Sequence, residues 1–270
     1  MTDKTPQTDL DKALYLADEA DKITKRHFRS VNLRVDTKPD KTPVTEADLE
    51  TEKRLSQIIH EEFGDNFIGE EGTRDTAKGR RWVVDPIDGT EPFIRGIPTA
   101  ANMLALIDNG QPIMGIIHNF CLGDYYLAIK GRGATCNGHA IHVSKRPLDG
   151  AFISVGNPKL DRHDAAFGLI DQLRPKLGRS GGIFNVGATG YTLTAVASGA
   201  IEGRIVVAGR SKPWDYAPGT LLIQEAGGRV ANIGVDTYDY RDVDLVATNN
   251  VIFDELMQFA VDMRSPRTSK

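Results

Sequence analysis

A layered α/β fold is predicted by three features of the 270-residue sequence. Two helix-forming segments lead, a middle section is largely strand-like, and from Ala151 onward strand-like and helical pieces alternate. That pattern calls for helices packed on sheet faces. Hydrophobic residues at 40% and charged residues at 26% supply a sizeable core and argue against wholesale disorder. The length fits one large domain or two fused subdomains. The expected division is an N-terminal α+β subdomain over 1–150 and a C-terminal α/β subdomain over 151–270, packed as one unit.

Thr8 with Asp11 has the spacing of a capping box and opens a first helix carrying Leu10, Ala13, Leu14, Ala17 and Phe28. Thr45 with Asp48 repeats that signal for a second helix running towards Phe63. Between them, 34–44 holds Lys38, Pro39, Lys41 and Pro43 and is predicted to be a surface loop, of a length that often carries function. Strands are expected at 67–69, 82–84, 103–107 and 113–117, with turns at Asn109-Gly110 and Asn137-Gly138. In the second half, strands are expected at 152–155, 204–207, 229–233 and 245–247. Helices are expected at 165–177, 192–198, 216–226 and 253–263.

Thirty-three basic against 37 acidic residues give a net charge of -4, no lure for nucleic acid or anionic lipid. Cys121 and Cys136 are too few for a disulfide framework and lack Cys or His at zinc spacing, which fits a reducing compartment. The start of the chain is polar, and no segment approaches the roughly 20 apolar residues that span a bilayer. A soluble, cytoplasmic protein with neither a nucleic-acid nor a membrane partner is expected. His139 and His142 stand three apart without nearby acids and are assigned no metal. Cys121 sits amid apolar residues and reads as an inert buried thiol. Phosphate-loop, dinucleotide and nucleophile-elbow motifs are absent from the sequence.

The densest chemical signal is Asp85-Pro86-Ile87-Asp88-Gly89-Thr90, following a strand-like run, the position where α/β proteins place their sites. As a plain turn, Asp85 and Asp88 would satisfy backbone amides. Glu70-Glu71 also ends a strand-like run, and Asp215 in Lys212-Pro213-Trp214-Asp215 starts a predicted helix; alone, these read as loop charges and a helix cap. Carboxylates about 4 Å apart repel by roughly 4 kcal/mol per pair at an effective dielectric near 20, so their convergence would demand cations. Oxygen-only ligands select hard ions such as Mg²⁺. The implied chemistry is metal-assisted hydrolysis of a phosphate ester.

These residues carry a resemblance. Gly69-Glu70-Glu71, Asp85 to Thr90, and Trp214-Asp215 through Glu225-Ala226-Gly227-Gly228 resemble, in order, the motifs of the inositol monophosphatase family. Pro43 to Asp48 is similar to the family's upstream segment, and the hairpin region from Gly131 to Ser144 is also similar. The resemblance implies an αβαβα sandwich, usually a homodimer, that hydrolyses small phosphomonoesters with Mg²⁺ and is inhibited by Li⁺. It implies that Glu70, Asp85 and the Ile87 carbonyl hold one ion, and Asp85, Asp88 and Asp215 a second, with a third, weaker ion near Glu70. Thr90 and Asp48 would orient or deprotonate a water, and the backbone after Gly89 would take the phosphate. Asp48 is equally explained as a cap, and both roles can coexist. Gly187, Ala188 and Thr189 lie where the family places a substrate-facing loop, though a helix N-terminus packed on a strand fits them as well.

The sequence departs from the family in places. Glu91-Pro92-Phe93 follows the third motif, where Glu91 either faces solvent or disfavours a dianion lacking a cationic group. Before Trp214-Asp215 no acid is available to an inositol ring; Arg210 and Lys212 stand there, suiting a second anionic group or serving as rim charge. The segment 34–40 looks more like the histidinol-phosphate phosphatase branch. The expected substrate is a small phosphorylated metabolite such as an inositol phosphate, with histidinol phosphate and nucleotide 3′-phosphates as alternatives. A second enzyme reading makes an Asp the nucleophile, but Asp85 and Asp88 are three apart rather than two. A regulatory protein retaining the fold is the reading from another class. By charge alone, Asp88→Asn is expected to abolish turnover and slightly firm up the metal-free protein.

Overall fold

In the computed structural model, residues 8–72, 79–156, 163–207 and 212–264 are described. Thr8 and Thr45 each begin a helix through the reciprocal contacts their spacing suggests. Helix α1 (Asp9–His27) starts with the Asp11 amide donating to Thr8 Oγ1 at 3.1 Å and the Thr8 amide donating to Asp11 Oδ2 at 3.1 Å. The intervening segment differs from the expected loop. Strands β1 (Val35–Thr37) and β2 (Pro43–Thr45) pair as an antiparallel hairpin, with Asp36 opposite Val44. Helix α2 (Glu46–Gln57) follows and widens into a π-helical turn over Ile58–Phe63, which Gly64 ends in the left-handed conformation. Ala13, Leu16, Ala17 and Ala20 of α1 meet Leu55, Ile58 and Ile59, and this paired face covers a sheet.

That sheet has seven strands in sequence order: β3 (Asn66–Gly69), β4 (Arg81–Asp88), β5 (Ala101–Asp108), β6 (Gln111–Asn119), β7 (Asp124–Ile129), β8 (Ala134–Cys136) and β9 (His139–Ala140). Only β3 and β4 run parallel; the other neighbours are antiparallel. Asn109-Gly110 and Asn137-Gly138 turn with positive φ at both residues, as two-residue hairpins require. The short helix α3 (Thr90–Ile94) leaves the end of β4.

The second sheet has the order β11-β10-β12-β14-β13, built from β10 (Phe152–Val155), β11 (Gly182–Ile183), β12 (Gly203–Val206), β13 (Arg229–Asn232) and β14 (Leu245–Thr248). Among the described residues four α-helices belong to this half: α4 (His163–Leu173), α5 (Thr189–Ala197), α6 (Ala217–Glu225) and α7 (Phe253–Arg264). Leu193 and Val196 of α5 and Leu222 and Ile223 of α6 fill one core with Met103 and Ile117 of the first sheet and Val206 and Leu245 of the second. Leu169 and Leu173 of α4 and Leu256 and Ala260 of α7 cover the outer face with Ile153, Ile205 and Val246. The layers therefore run helix, sheet, helix, sheet, helix, which is the αβαβα sandwich. No described helix is long and apolar enough to cross a membrane.

Candidate active site

Strand β4 carries the first acids differently from the expected picture, because it continues through the Asp85–Asp88 motif instead of stopping before it. Asp85 faces Met103 and Asp88 faces Ala101 on β5, so the register shifts between them. Such a bulge re-aims the side chains it carries. Pro86, which has no amide to give the ladder, sits in the irregular stretch, and its carbonyl accepts from buried Asn102 Nδ2 at 2.6 Å. Gly89 then turns the chain into α3 with φ 81°, and a Cβ there would lie 2.9 Å from Ala188 Cβ. Ala188 thus abuts the motif.

Glu70 follows Gly69, which pairs with Val84, so the parallel register sets Glu70 beside Asp85. Asp215 ends a tight turn over Pro213–Asp215 just before α6. Trp214 anchors that turn among Val83, Ala105, Ile107 and Tyr240, while the Lys212 amide donates to Asp215 Oδ2 at 3.0 Å. As a result Glu70, Asp85 and Asp215 each place a carboxylate oxygen within 4.8 Å of the other two. Asp88 is not in that trio. Its two oxygens accept the Thr189 and Gly190 amides at 3.0 and 2.7 Å, so it caps α5, whose N-cap Ala188 has no side chain able to do so.

Burial, then the charges of Glu70, Asp215 and Asp88, pushes the Asp85 carboxyl far above the ordinary carboxylate range. Its Oδ1 is enclosed without a hydrogen bond. Burial raises Asp88 to about 6 against the two α5 amides and the Arg204 guanidinium, which favour its charged form. Glu71, again through burial, is raised to about 7. Lys38 projects from the β1–β2 hairpin, and its Nζ donates to Glu70 Oε1 at 2.8 Å and Glu71 Oε1 at 2.7 Å. Half burial opposes its charge, yet the two carboxylates hold its ammonium above the usual lysine value. Three converging hard oxygens, from acids that include Asp85 with its unpartnered Oδ1, fit a divalent hard cation.

Asp48 meets this cluster from α2. Its Oδ2 accepts the Thr45 amide at 2.8 Å and the Thr45 hydroxyl at 2.6 Å, so the cap is real. Its Oδ1 faces the Thr90 hydroxyl at 3.4 Å, and the same hydroxyl lies 3.2 Å from the Ile87 carbonyl. Burial pushes the Asp48 carboxyl up to about 6 against those Thr45 contacts. Gly187 has φ 75°, and Ala188 and Thr189 begin the α5 turn that Asp88 holds, as the helix N-terminus reading expects.

Glu91 is exposed and pairs with Arg95 at 3.2 Å, and Lys212 is exposed; Arg210 lies outside the described residues. His139 and His142 are on the surface. Cys121 is half-buried rather than buried, its thiol pushed up to about 11 by burial. Three neighbours of the site were missed from sequence. They are Lys38, buried Glu52, whose Oε2 accepts the Glu71 amide at 2.6 Å, and buried Arg204. Gly69 was a usable signal for Glu52, because its missing Cβ is what admits that carboxylate.

Residues 6–263 match the profile of the Inositol monophosphatase family. A histidinol-phosphatase from Mycobacterium tuberculosis is 36% identical, over 92% of this chain and 96% of that one. An inositol-1-monophosphatase from Rhizobium meliloti is also 36% identical, over 78% of this chain and 80% of its own. Among solved structures, an IMPase from Thermotoga maritima superposes with a TM-score of 0.84 at 28% identity, covering 94% of this chain and 97% of that one.

Proposed function

Because the chain belongs to the inositol monophosphatase family and is a phosphatase of it, we propose that it hydrolyses a small phosphomonoester with Mg²⁺ and a water nucleophile. The observation that carries this reading is the convergence of Glu70, Asp85 and Asp215. Glu70, Asp85 and the Ile87 carbonyl would hold one ion, and Asp85, Asp88 and Asp215 a second, with a third, weaker ion near Glu70. Bound there, the ions neutralise phosphate charge and lower the pKa of a coordinated water.

The chain's own residues supply the rest. The Thr90 hydroxyl, set between Asp48 and the Ile87 carbonyl, orients the water. Asp48, held near 6, is ionised at neutral pH yet basic enough to receive the proton. Gly89 and Thr90 offer backbone amides to the phosphate, and Gly187, Ala188, Thr189 and Asp215 border the alcohol. Lys38, already paired with Glu70 and Glu71, limits the repulsion among the acids before loading.

For the alcohol half, an amino alcohol of the histidinol type is the first candidate. The segment 34–40, the absence of an acid just before Trp214, and the Mycobacterium tuberculosis relative support it. Inositol 1-phosphate is the second reading, supported by the Rhizobium meliloti relative. A cytoplasmic homodimer completes the proposal.

Phosphate release from histidinol phosphate, inositol 1-phosphate, glycerol phosphate and a nucleotide 3′-phosphate tests it. Turnover is expected to need Mg²⁺, to stop in chelator, to fall with Li⁺, and to be fastest on histidinol phosphate. Asp48→Asn should lose about 100-fold or more in kcat while thermal melting moves little. Equal activity per folded molecule in that variant would remove Asp48 as the base. No phosphate from any monoester would favour a regulatory role.

A further inference from the structure

Arg204 is a buried cation that the proposed reaction does not use. It is 6% exposed in the short strand β12. Its neighbour Ile205 faces the outer core with Ile153 and Leu169, whereas Val206, two residues from Arg204, faces the inner core with Leu193 of α5. Strand alternation therefore turns Arg204 towards α5. Nη1 donates to Ser154 Oγ on β10 at 3.0 Å, and Nη2 to Thr189 Oγ1, on the first residue of α5, at 3.4 Å. Nε is enclosed with no partner. Among the described residues no ion pair of Arg204 is formed, yet its charge acts favourably on ionised Asp88.

A guanidinium buried without a direct carboxylate contact is costly, and an apolar side chain would fill a core position more cheaply. What offsets the cost is the geometry around Thr189. Asp88 accepts from the Thr189 amide, and Arg204 donates to the Thr189 hydroxyl oxygen. Ala188 contributes no side-chain cap, so these two opposite charges are what secure the first turn of α5. The same turn follows Gly187, which abuts Pro92, and Ala188, which abuts Gly89.

We propose that Arg204 is a positioning residue, which fixes Thr189 and so keeps the Asp88 carboxylate seated on the α5 amides in the geometry the site requires. Its bearing on turnover rests on the phosphatase reading above; its bearing on the α5 turn does not. The competing role is a brace between β10 and β12 through Ser154, with no effect on α5.

Amide hydrogen exchange in the metal-free protein separates the two, using Arg204→Gln, which keeps a donor without charge, Arg204→Lys, which keeps the charge, and Ser154→Ala. Thr189 and Gly190 are expected to exchange about tenfold faster in the Gln variant, to stay close to the parent in the Lys variant, and to be unmoved by Ser154→Ala. With Mg²⁺ and a phosphomonoester, kcat should fall about tenfold in the Gln variant while KM changes less than about twofold, and Ser154→Ala should keep the parent kcat. Parent-like protection of both amides in Arg204→Gln, or equal losses in Ser154→Ala, would overturn the proposal. Should the Gln variant fail to fold, loss of amide protection in folded Arg204→Lys overturns it and retention supports it. A parent that releases no phosphate while the exchange results hold would sink the phosphatase reading and leave this role of Arg204 standing.

Discussion

Asp85 and Asp88 sit three residues apart on one bulged strand, but their carboxylates are differently supported. Asp85 is crowded by Glu70, Asp215 and Asp88 and has an oxygen with no donor, whereas both oxygens of Asp88 receive helix amides. Without metal, Asp85→Asn should therefore stabilise the protein, because it removes a charge that burial and three neighbouring acids disfavour. Asp88→Asn should not, because an Asn would set an NH₂ group against one of the buried amides, and an unsatisfied buried group costs about 1–3 kcal/mol. Those amides change the sign expected from charge alone. Urea unfolding in chelator checks the pair, and a gain from Asp88→Asn matching that from Asp85→Asn would show that the α5 cap carries no weight. Glu70 was legible from residue type at a strand end, Asp85 and Asp88 from their motif after a strand-like run, and Asp215 from its place at the start of a predicted helix. Lys38 was not, because its contact with Glu70 spans 32 residues and leaves no local spacing to read. Arg204 was hidden for a similar reason, being one polar letter in a short apolar strand.

At the scale of elements, legibility followed the strength of local signals. The capping boxes at Thr8 and Thr45 and the two Asn-Gly turns were readable because side chain and backbone settle them within four residues. The β1–β2 hairpin was not, since three-residue strands, the first fully exposed, show no alternation of burial, and Pro43 argues against a strand. Pro86 concealed the continuation of β4 in the same way. Helix α5 shows how tightly such an element is fitted. A Cβ on Gly190 would lie 2.8 Å from Met103 Sδ and 3.1 Å from Asp88 Oδ2. Replacing Gly by Ala within a helix ordinarily gains up to about 1 kcal/mol. Here overpacking against fully buried Met103, at about 1–3 kcal/mol, should outweigh that gain and displace Asp88. Gly190→Ala is expected to be less stable in urea and to lose most phosphate release per folded molecule. A variant as stable and active as its parent would mean that the start of α5 has room the geometry denies.

Across the whole molecule, the division at residue 150 stands as a proposal of two subdomains sharing one core. Leu193 and Leu222 of the second half fill the same core as Met103 and Ile117 of the first, so they should unfold together. Trp82, packed with α1 and α2, can report on the first half, and Trp214, in the turn before α6 and packed on Val83, Ala105 and Ile107, on the contact between the halves. The pH dependence of that transition follows from the site. Without metal, Asp48 and Asp88 are held at about 6, Glu71 at about 7 and Asp85 well up, against roughly 4 in an unfolded chain. The folded protein thus binds protons more tightly, and stability rises as pH falls from about 7 towards 4. His118 opposes this: burial holds it down to about 4, and neither ring nitrogen is hydrogen-bonded. The unfolded imidazole takes up its proton near 6.5, so that contribution is lost over the same interval. Between pH 8 and 5 four raised carboxyls act against one lowered imidazole, and the lowered carboxyls of Glu19, Asp40, Glu50 and Asp239 oppose them mainly below about pH 5, so the net sign over that interval lies with the raised acids. In chelator, the urea midpoint should therefore be higher at pH 5 than at pH 8, identical for fluorescence of Trp214 in Trp82→Phe and of Trp82 in Trp214→Phe once each variant's own stability is allowed for. Saturating Mg²⁺ should raise the midpoint most at pH 8, where the acids are ionised. A metal-free midpoint higher at pH 8 would show that the clustered acids are not a net burden on the empty fold.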